Sequence, residues 1–357
     1  MRTEVRGGAA ALLAVDAGNT KTDVAVVGAD GTVLGASRGG GFRPPAVGVG
    51  AAVDVLERAV AEAAWAAGLP WPPGEPGRRG EPGAPGPVGH VSACLANADL
   101  PVEERELAEA IGARGWARTT EVRNDTFAVL RAGLPAGAEP RGVAVVCGAG
   151  INCAGLAPGG RSARFPALGR ISGDWGGGSG LAEEALWYAA RAEDGRGEPT
   201  ELARTVPGHF GLATVYELIE AVHRGRIPAA RRHELSPVLF ATAAAGDAVA
   251  GALVDRLAEE VVTLAAVALG RLGLLGEEVP VVLGGSVLAA RHPRLDARIA
   301  ELLAARAPRA VVRVVTAPPV LGAALLGLDR LGAAPDAYTR LAGQYGAPGR
   351  ADVPPQV

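Results

Sequence analysis

The same local pattern opens both halves of this 357-residue chain. An apolar run over 10–15 leads into Asp-Ala-Gly-Asn-Thr-Lys-Thr, which begins at Asp16, and a second apolar run follows over 24–27. A β-branched run over 142–146 likewise leads into Cys-Gly-Ala-Gly-Ile-Asn, which begins at Cys147. Apolar runs on both sides of a glycine turn indicate hairpins. Because strand–helix patterns follow each hairpin, the sequence predicts an α/β fold of two related domains with a cleft between them.

The length fits two domains at about 150 residues each. The pattern restarts after a linker over 134–140, which predicts a first domain over 10–138 and a second over 139–320. A segment rich in Pro and Gly over 71–89 interrupts the first domain and is predicted to be a surface loop. Residues 336–357 are predicted to form a flexible tail.

Composition excludes several classes of protein. The formal net charge of -3 argues against a nucleic-acid surface. Three irregularly spaced cysteines do not make a disulfide framework or a zinc site, which fits a reducing cytoplasm. No apolar run reaches about 18 residues, so no membrane span is predicted. We therefore expect a cytoplasmic protein whose ligands are small molecules.

The first glycine turn has the residue types of a phosphate site. An acid stands at the strand end, a glycine lets the backbone approach a ligand, and amide, hydroxyl and ammonium groups offer donors. The acid, Asp16, is suited to hold Mg²⁺ through water. An ordinary hairpin turn is the alternative, because Asn and Gly are common in turns. The candidate phosphate-binding residues are Asp16, Gly18, Asn19, Thr20, Lys21 and Thr22.

Two other positions have both a structural and a functional interpretation. Asp125 stands between a predicted strand and a predicted helix, where it is either the helix N-cap or a general base. The turn Gly148-Ala149-Gly150 is either a tight hairpin or a second phosphate turn that uses backbone N–H groups.

Glycine-rich segments supply two further candidates. Asp174 precedes three consecutive glycines, and its carboxylate either binds substrate hydroxyls or is solvated in a flexible loop. Gly284 and Gly285 follow an apolar strand and fit packing against the ribose or base of a nucleotide. The five histidines lack metal-ligand spacing and are interpreted as surface or packing residues.

The order of these motifs resembles the N-acetylglucosamine kinase and BadF/BadG/BcrA/BcrD ATPase family, within the actin-like, hexokinase-like ATPase superfamily. The resemblance extends over about 12–331. It implies two actin-like (ribonuclease H-like) ATPase domains with a nucleotide cleft between them. It also implies ATP and Mg²⁺ as cofactors and a sugar as substrate.

The resemblance assigns roles to particular residues. Asp125 falls where the sugar kinases of the family keep their catalytic base, and Gly284 and Gly285 match the adenosine motif. The region 319–326 is similar to a C-terminal helix that returns to the first domain, which we place over 321–335. The implied phosphate contacts are the first-turn residues above with Gly148, Ala149 and Gly150. The implied substrate contacts are Asn124, Asp125, Asn152 and Asp174.

The chain departs from the family pattern at several positions. Ala149 and Ile151 stand where the second phosphate turn usually has hydroxyls. Trp175, Gly176 and Gly177 replace the usual Glu-Gly-Ser after Gly-Asp. These changes leave the acceptor sugar open.

Four functions follow from the sequence. The first is an ATP-dependent kinase of an amino sugar or related sugar, with Asp125 as general base. The second is a BadF-type ATPase that couples hydrolysis to a partner protein. The others are a pantothenate kinase, which shares only the first motif, and a relative that binds nucleotide without catalysis. The architecture is compatible with a homodimer.

Overall fold

The computed structural model describes residues 10–71 and 87–346, and the described chain divides into two compact α/β units. Unit 1 contains the described residues up to 141, a short segment over 157–160 and the described residues from 315 onward. Unit 2 contains residues 142–156 and 161–314. Of the loop predicted over 71–89, residues 72–86 lie outside the described part.

Each unit is built on one five-stranded sheet. The strands of unit 1 are β1 (Ala10–Ala17), β2 (Lys21–Gly28), β3 (Val33–Gly40), β4 (Val88–Leu95) and β5 (Ala117–Asn124), in the order β3-β2-β1-β4-β5. The strands of unit 2 are β6 (Gly142–Cys147), β7 (Ile151–Ala157), β8 (Arg161–Arg164), β9 (Val279–Gly284) and β10 (Ala310–Val314), in the order β10-β9-β6-β7-β8. In both sheets an antiparallel hairpin, β1–β2 or β6–β7, lies beside parallel strands.

Helices surround these strands. They are α1 (Pro44–Val47), α2 (Val49–Ala66), α3 (Pro101–Gly112), α4 (Thr126–Gly133), α5 (Gly177–Glu193), α6 (Leu202–His209), α7 (Val215–His223), α8 (Leu235–Ala244), α9 (Ala248–Leu272), α10 (Ser286–Ala289), α11 (Pro293–Arg306), α12 (Pro319–Leu331) and α13 (Pro335–Gly346). Short 3₁₀ helices lie at Pro158–Gly160, Gly169–Ser172 and Ala229–Glu234. The α/β fold class predicted from the alternation is confirmed.

The sheet of unit 1 is buried on both faces. Leu13 and Val15 pack with side chains of α2 and α3, whereas Leu12 and Ala14 pack with α12 and α13. A strand that is covered on both faces needs apolar side chains at successive positions, which explains the uninterrupted apolar sequence of β1. Helix α12 also contacts α4 so closely that a Cβ at Gly322 would lie 1.8 Å from the carbonyl oxygen of Ala128.

The prediction of a flexible tail over 336–357 is wrong for residues 336–346. These residues belong to α13, and Ala337 and Leu341 are buried against unit 1. The side-chain amide of Gln344 accepts from the backbone N–H of Val33 and donates to the carbonyl of Gly31. Residues 347–357 lie outside the described part.

In the described part of the chain, no single helix is long and apolar enough to cross a membrane. Two consecutive segments, Ala229–Ala244 and Ala248–Leu272, are long and apolar enough only when they are taken together, and they meet at a bend of 111°.

Candidate active site

The first glycine turn is a tight connection between β1 and β2. The backbone N–H of Gly18 donates to the carbonyl of Lys21 at 2.8 Å, and Asp16 pairs with Asp23 across the hairpin. Asn19, Thr20 and Lys21 are exposed at the tip of the turn, whereas Asp16 is buried. The tip therefore offers polar groups to a ligand, and the acid lies at its base.

A segment after β3 holds this turn in place. The backbone N–H of Phe42 donates to the carbonyl of Gly18 at 2.9 Å, and Arg43 Nε donates to the carbonyl of Asn19 at 2.6 Å. A Cβ at Gly41 would lie 2.2 Å from the carbonyl oxygen of Asn19, so only glycine fits there. The sequence gives no local sign of this support, because the two segments meet only in the folded sheet.

Asn97 is a second support that the sequence analysis missed. Its side-chain N–H₂ donates to Asn19 Oδ1 at 3.0 Å and to the carbonyl of Phe42 at 3.3 Å. Its φ is +61°, in the left-handed region that Asn tolerates better than most non-glycine residues. Asn97 thus joins the residues that follow β4 to the first glycine turn and to the segment that supports it.

If the first glycine turn binds the phosphates of ATP as the sequence predicts, Asn97→Gly should lower kcat/KM for ATP about tenfold. The substitution removes the side chain that fixes the turn, whereas glycine adopts the positive φ of this position without strain. Asn97→Ala should have the same kinetic effect and in addition lose about 1 kcal/mol of unfolding free energy, because alanine is strained at this φ. Steady-state kinetics and urea unfolding measure the two effects. Wild-type kinetics in Asn97→Gly would contradict the positioning role.

Two residues predicted to contact phosphate instead make contacts within unit 1. Thr22 is buried, and its hydroxyl donates to the carbonyl of Gly40 at 2.8 Å. Lys21 Nζ lies 3.1 Å from Asp23 Oδ2, and Arg38 Nε lies 2.6 Å from Asp23 Oδ1. Thr22 is therefore a structural residue of the hairpin. Lys21 is half-exposed, which leaves its ammonium group accessible.

Two carboxyl groups of unit 1 have raised pKa values. Burial raises the pKa of Asp16 to about 8, and the nearby charges of Asp125 and Asp23 add to this effect, while Lys21 opposes it. Burial also raises the pKa of Asp125 to about 6, against the backbone N–H groups of Thr126 and of Asp125 itself. Paired carboxyl groups with raised pKa values are typical of functional sites.

The position of Asp125 between β5 and α4 distinguishes its two interpretations. The Asp125 side chain makes no cap hydrogen bond. The backbone N–H of Thr126 donates instead to Asn124 Oδ1 at 2.9 Å. The backbone N–H of Asp125 donates to the carbonyl of Leu95 at 3.2 Å, which fixes Asp125 to the end of β4. The cap hydrogen bond of α4 is therefore made by Asn124 and not by Asp125.

Asn124, predicted to contact substrate, is a buried structural residue. In addition to the cap, its Nδ2 donates to Asp99 Oδ1 at 2.8 Å and its backbone N–H donates to Glu104 Oε1 at 3.1 Å. Glu103 accepts from the backbone N–H of Asp99 at 2.9 Å. Asn124 therefore positions the neighbouring Asp125, with support from the start of α3.

In unit 2, the turn Gly148-Ala149-Gly150 lies against the start of α5. The backbone N–H groups of Gly178 and Ser179 donate to the carbonyls of Gly148 and Ala149 at 2.7 and 3.0 Å. The positive end of the dipole of this 17-residue helix therefore lies next to the turn, which favours an anion there.

The three glycines at the start of α5, Gly176, Gly177 and Gly178, allow this close packing. Gly177 has φ +73°, and a Cβ there would lie 2.5 Å from both the carbonyl oxygen of Ala149 and the Cα of Gly150. A Cβ at Gly176 would lie 2.8 Å from Leu257. Gly285, with φ +83°, packs in the same way on the end of β6, where its Cβ would lie 2.4 Å from the carbonyl oxygen of Cys147. Gly284 is buried beside it.

The two remaining predicted substrate contacts also bond to nearby protein atoms. Asp174 Oδ2 accepts from the backbone N–H of Gly169 at 3.0 Å and from the hydroxyl of Ser172 at 2.5 Å. Asp174 therefore holds its own 3₁₀ turn. Asn152 Oδ1 accepts from the backbone N–H of Cys153 at 2.7 Å. Their contact with a substrate stays a prediction.

The acidic residues of unit 1 fit a magnesium ion that is carried by a nucleotide. In the described part of the chain, no group of three or more His, Cys, Asp or Glu side chains could form a protein cage for a metal. Mg²⁺ bound with phosphates needs only one or two carboxylates and keeps several waters. Asp16 supplies such a carboxylate, and a cation beside it would favour its ionised form.

Comparisons with known proteins show the family to which this chain belongs. The model of the BadF/BadG/BcrA/BcrD ATPase family matches residues 104–327, more than half of the chain. This chain belongs to that family. The resemblance predicted from the motifs is thus confirmed, and the two units share the fold of hexokinase-like, actin-fold sugar kinases.

Two curated relatives of this family member are sugar kinases. An N-acetyl-D-glucosamine kinase of Dictyostelium discoideum is 27% identical over 210 residues, which cover 58% of this chain and 65% of that protein. An N-acetylmuramic acid/N-acetylglucosamine kinase of Clostridium acetobutylicum is 26% identical over 193 residues, which cover 54% and 62%. The chain thus spans less than two thirds of the length of these relatives.

A crystal structure of a candidate N-acetylglucosamine kinase from Chromobacterium violaceum shows the same fold. Its TM-score is 0.64 at 24% identity, and the match covers 89% of this chain and 98% of that one.

Proposed function

We propose that this family member is an ATP-dependent kinase that transfers the γ-phosphoryl group to a hydroxyl of an amino sugar or related sugar. The observation that carries the proposal is the carboxylate of Asp125. It directly follows β5, the strand at one edge of the sheet, it makes no cap hydrogen bond to α4, and its pKa is raised to about 6. The curated relatives, which phosphorylate N-acetylglucosamine or N-acetylmuramic acid, support this substrate class.

In the proposed reaction, Asp125 accepts the proton of the acceptor hydroxyl while the hydroxyl oxygen attacks the γ-phosphorus and the bond to the β-phosphate oxygen breaks. A base with a pKa near 6 is ionised at neutral pH and still basic enough for this transfer. Asn124 holds Asp125 in place through the cap of α4 and through Asp99. Positioning and charge stabilisation supply most of the rate enhancement in phosphoryl transfer.

The two glycine turns bind phosphate groups in this proposal. In unit 1, the exposed tip residues Asn19, Thr20 and Lys21 offer donors and a charge. In unit 2, the backbone N–H of Gly148 donates to the carbonyl of Gly150, so the proposed donors are the backbone N–H groups of Ala149 and Gly150, with the helix dipole beside them. Gly284 and Gly285 lie at the end of β9, where the family resemblance implies the adenosine motif, and Mg²⁺ at Asp16 would neutralise phosphate charge.

The pH dependence follows from the direction of the Asp125 shift. A general base works only when ionised, so kcat/KM should fall as the pH is lowered through about 6. Binding of Mg²⁺ would move this limb to lower pH, because a cation favours the carboxylate. A pH profile of kcat/KM at saturating Mg²⁺ checks the sign. A rate that rises as the pH falls from 7 to 5 would contradict Asp125 as the base.

The experiment that tests the function measures ADP release with each of several acceptors. The panel contains N-acetylglucosamine, N-acetylmuramate, glucosamine, glucose, mannose and pantothenate, with a reaction lacking any acceptor as baseline. We expect one amino sugar to stimulate ADP release, with a phosphorylated sugar detected by mass spectrometry. Steady ADP release that no acceptor stimulates would instead support an ATPase that acts on a partner protein.

The buried cysteines argue against an iron–sulfur form of that ATPase. Cys94, Cys147 and Cys153 are free thiols inside the two units, and burial raises the pKa of each. Thiols in this state are poor ligands for a cluster shared between subunits. Free thiols also fit the proposed location in a reducing cytoplasm. The homodimer stays a prediction, which light scattering of the purified protein checks.

A further inference from the structure

An open cavity of about 310 Å³ lies in unit 1, apart from the candidate active site. Its walls come from the first residues of β4, the first residues of β5 and the end of α12. Asp125 follows the last residue of β5, so the cavity lies at the opposite edge of the sheet from the proposed general base. The lining residues are Gly89, His90, Arg118, Thr119, Arg330 and Leu331.

One polar atom in the wall of this cavity lacks a partner. His90 is 2% exposed, and its Nε2 forms no hydrogen bond with any described residue. Its Nδ1 lies 2.9 Å from the hydroxyl of Thr119. A buried nitrogen without a partner is costly, because it has lost its water and gained nothing in return. A ligand that reached Nε2 from the cavity would remove this cost.

The charge of the cavity is positive. Arg118 and Arg330 line it, and both are exposed. Glu121, an acid close to Arg330, is bound by Arg123 at 2.6 Å and lies 4.0 Å from Arg330. Arg330 therefore keeps most of its guanidinium N–H groups for another partner, and Arg118 supplies a second set.

We propose that this cavity binds a phosphate group carried by a small molecule. Guanidinium groups match the geometry of phosphate oxygens, and the volume lies at the lower end of small-molecule sites. The single hydroxyl proton of Thr119 can be donated to the carbonyl of Gly89 at 3.3 Å or to His90 Nδ1 at 2.9 Å. An anion in the cavity would favour donation to Nδ1, because the ring proton is then on Nε2, which becomes a third donor to the anion. The site is independent of the glycine turns and of any turnover.

Titration of ¹⁵N-histidine-labelled protein with inorganic phosphate tests the proposal. Chloride replaces phosphate in the reference samples at constant ionic strength. We expect a saturable shift of the His90 ring nitrogens toward the tautomer with the proton on Nε2. The other four histidines, all in unit 2, serve as internal references. His90→Gln identifies the signal by its loss, and assigning the four other histidines identifies it by elimination if that variant does not fold.

Exposed arginines supply the matched variants. The double variant Arg118→Gln/Arg330→Gln should raise the phosphate concentration at half-saturation at least about tenfold, because charge-assisted hydrogen bonds are lost. Arg58→Gln/Arg105→Gln removes two other exposed arginines of unit 1 and should leave the titration unchanged. The proposal is overturned if His90 shows no saturable shift, or if the two double variants titrate alike. The titration measures binding and no turnover, so its outcome does not depend on whether the protein is a sugar kinase.

Discussion

We expect Asp125→Asn to lower sugar phosphorylation by a factor of about 10²–10⁴, the usual contribution of a positioned general base. The amide has the shape of the carboxylate but cannot accept the proton of the acceptor hydroxyl. The fold should survive, because the cap of α4 is made by Asn124 and not by Asp125. Coupled ADP release and detection of the phosphorylated sugar measure the effect.

Asp125→Asn should also have a higher free energy of unfolding than the wild type at neutral pH. Burial raises the pKa of Asp125 to about 6 in the folded protein from an ordinary value of 3.8, so ionised Asp125 destabilises the folded state. A raised carboxyl pKa lowers stability as the pH rises from about 4 to about 6. Partial exposure of the side chain reduces the effect, and we expect a gain of about 1 kcal/mol at pH 7 that vanishes below pH 4.

Asp54→Asn is the matched control for this substitution. Asp54 is an exposed acid of α2 in the same unit, where it pairs with Arg114. Its replacement should leave phosphorylation unchanged and change the unfolding free energy by less than about 1 kcal/mol. An Asp125→Asn protein that retains phosphorylation within about threefold of wild type would refute the assignment of the base.

The second large effect concerns the contact between α12 and α4. We expect Gly322→Ala to lower the free energy of unfolding by about 3 kcal/mol or more. The added Cβ would lie 1.8 Å from the carbonyl oxygen of Ala128 and 2.9 Å from the nitrogen of Ala132. These are backbone atoms of a buried helix, so neither can rotate away. The two helices must separate instead, and α4 begins directly after Asp125.

Gly50→Ala provides the control for a glycine in a helix. No atom lies within 4 Å of a Cβ at Gly50, which belongs to α2. Alanine should therefore be neutral there or stabilise by up to about 1 kcal/mol. Urea unfolding followed by circular dichroism compares both variants with wild type. A loss below about 1 kcal/mol in Gly322→Ala would show that the helices tolerate separation.

Much of the fold could be predicted because it rests on local patterns. The apolar runs on both sides of each glycine turn mark the two hairpins, β1–β2 and β6–β7. Helix α13 was missed because only Ala337 and Leu341 mark its buried side. These two side chains pack with residues of the β1–β2 hairpin, some 300 residues earlier in the sequence, so no local pattern reveals the contact.

The candidate site likewise has features that the sequence predicts and features that only the folded structure shows. The position of Asp125 after a strand is readable from the sequence, but the partners of polar side chains are not. Thr22, Asn124 and Asp174 are residue types that suit a ligand, and the sequence does not reveal that each also bonds to protein atoms. Asn97 gave no signal, because its bond to Asn19 spans 78 positions. Hydrogen-bond partners depend on which segments the sheet brings together, and that pairing is set by the whole unit.

The return of α12 and α13 to unit 1 affects the order in which the chain can fold during synthesis. When a ribosome has released the chain as far as Arg141, one face of β1 and β4 still lacks Leu321, Leu325 and Leu328. Unit 2, whose residues lie between 142 and 314, can therefore complete its core before unit 1 does. The nascent first unit carries an uncovered apolar face for the time that more than half of the chain takes to be translated. A chaperone that binds apolar surface would meet the unit in this interval, and a stop codon before 319 would leave the face uncovered permanently.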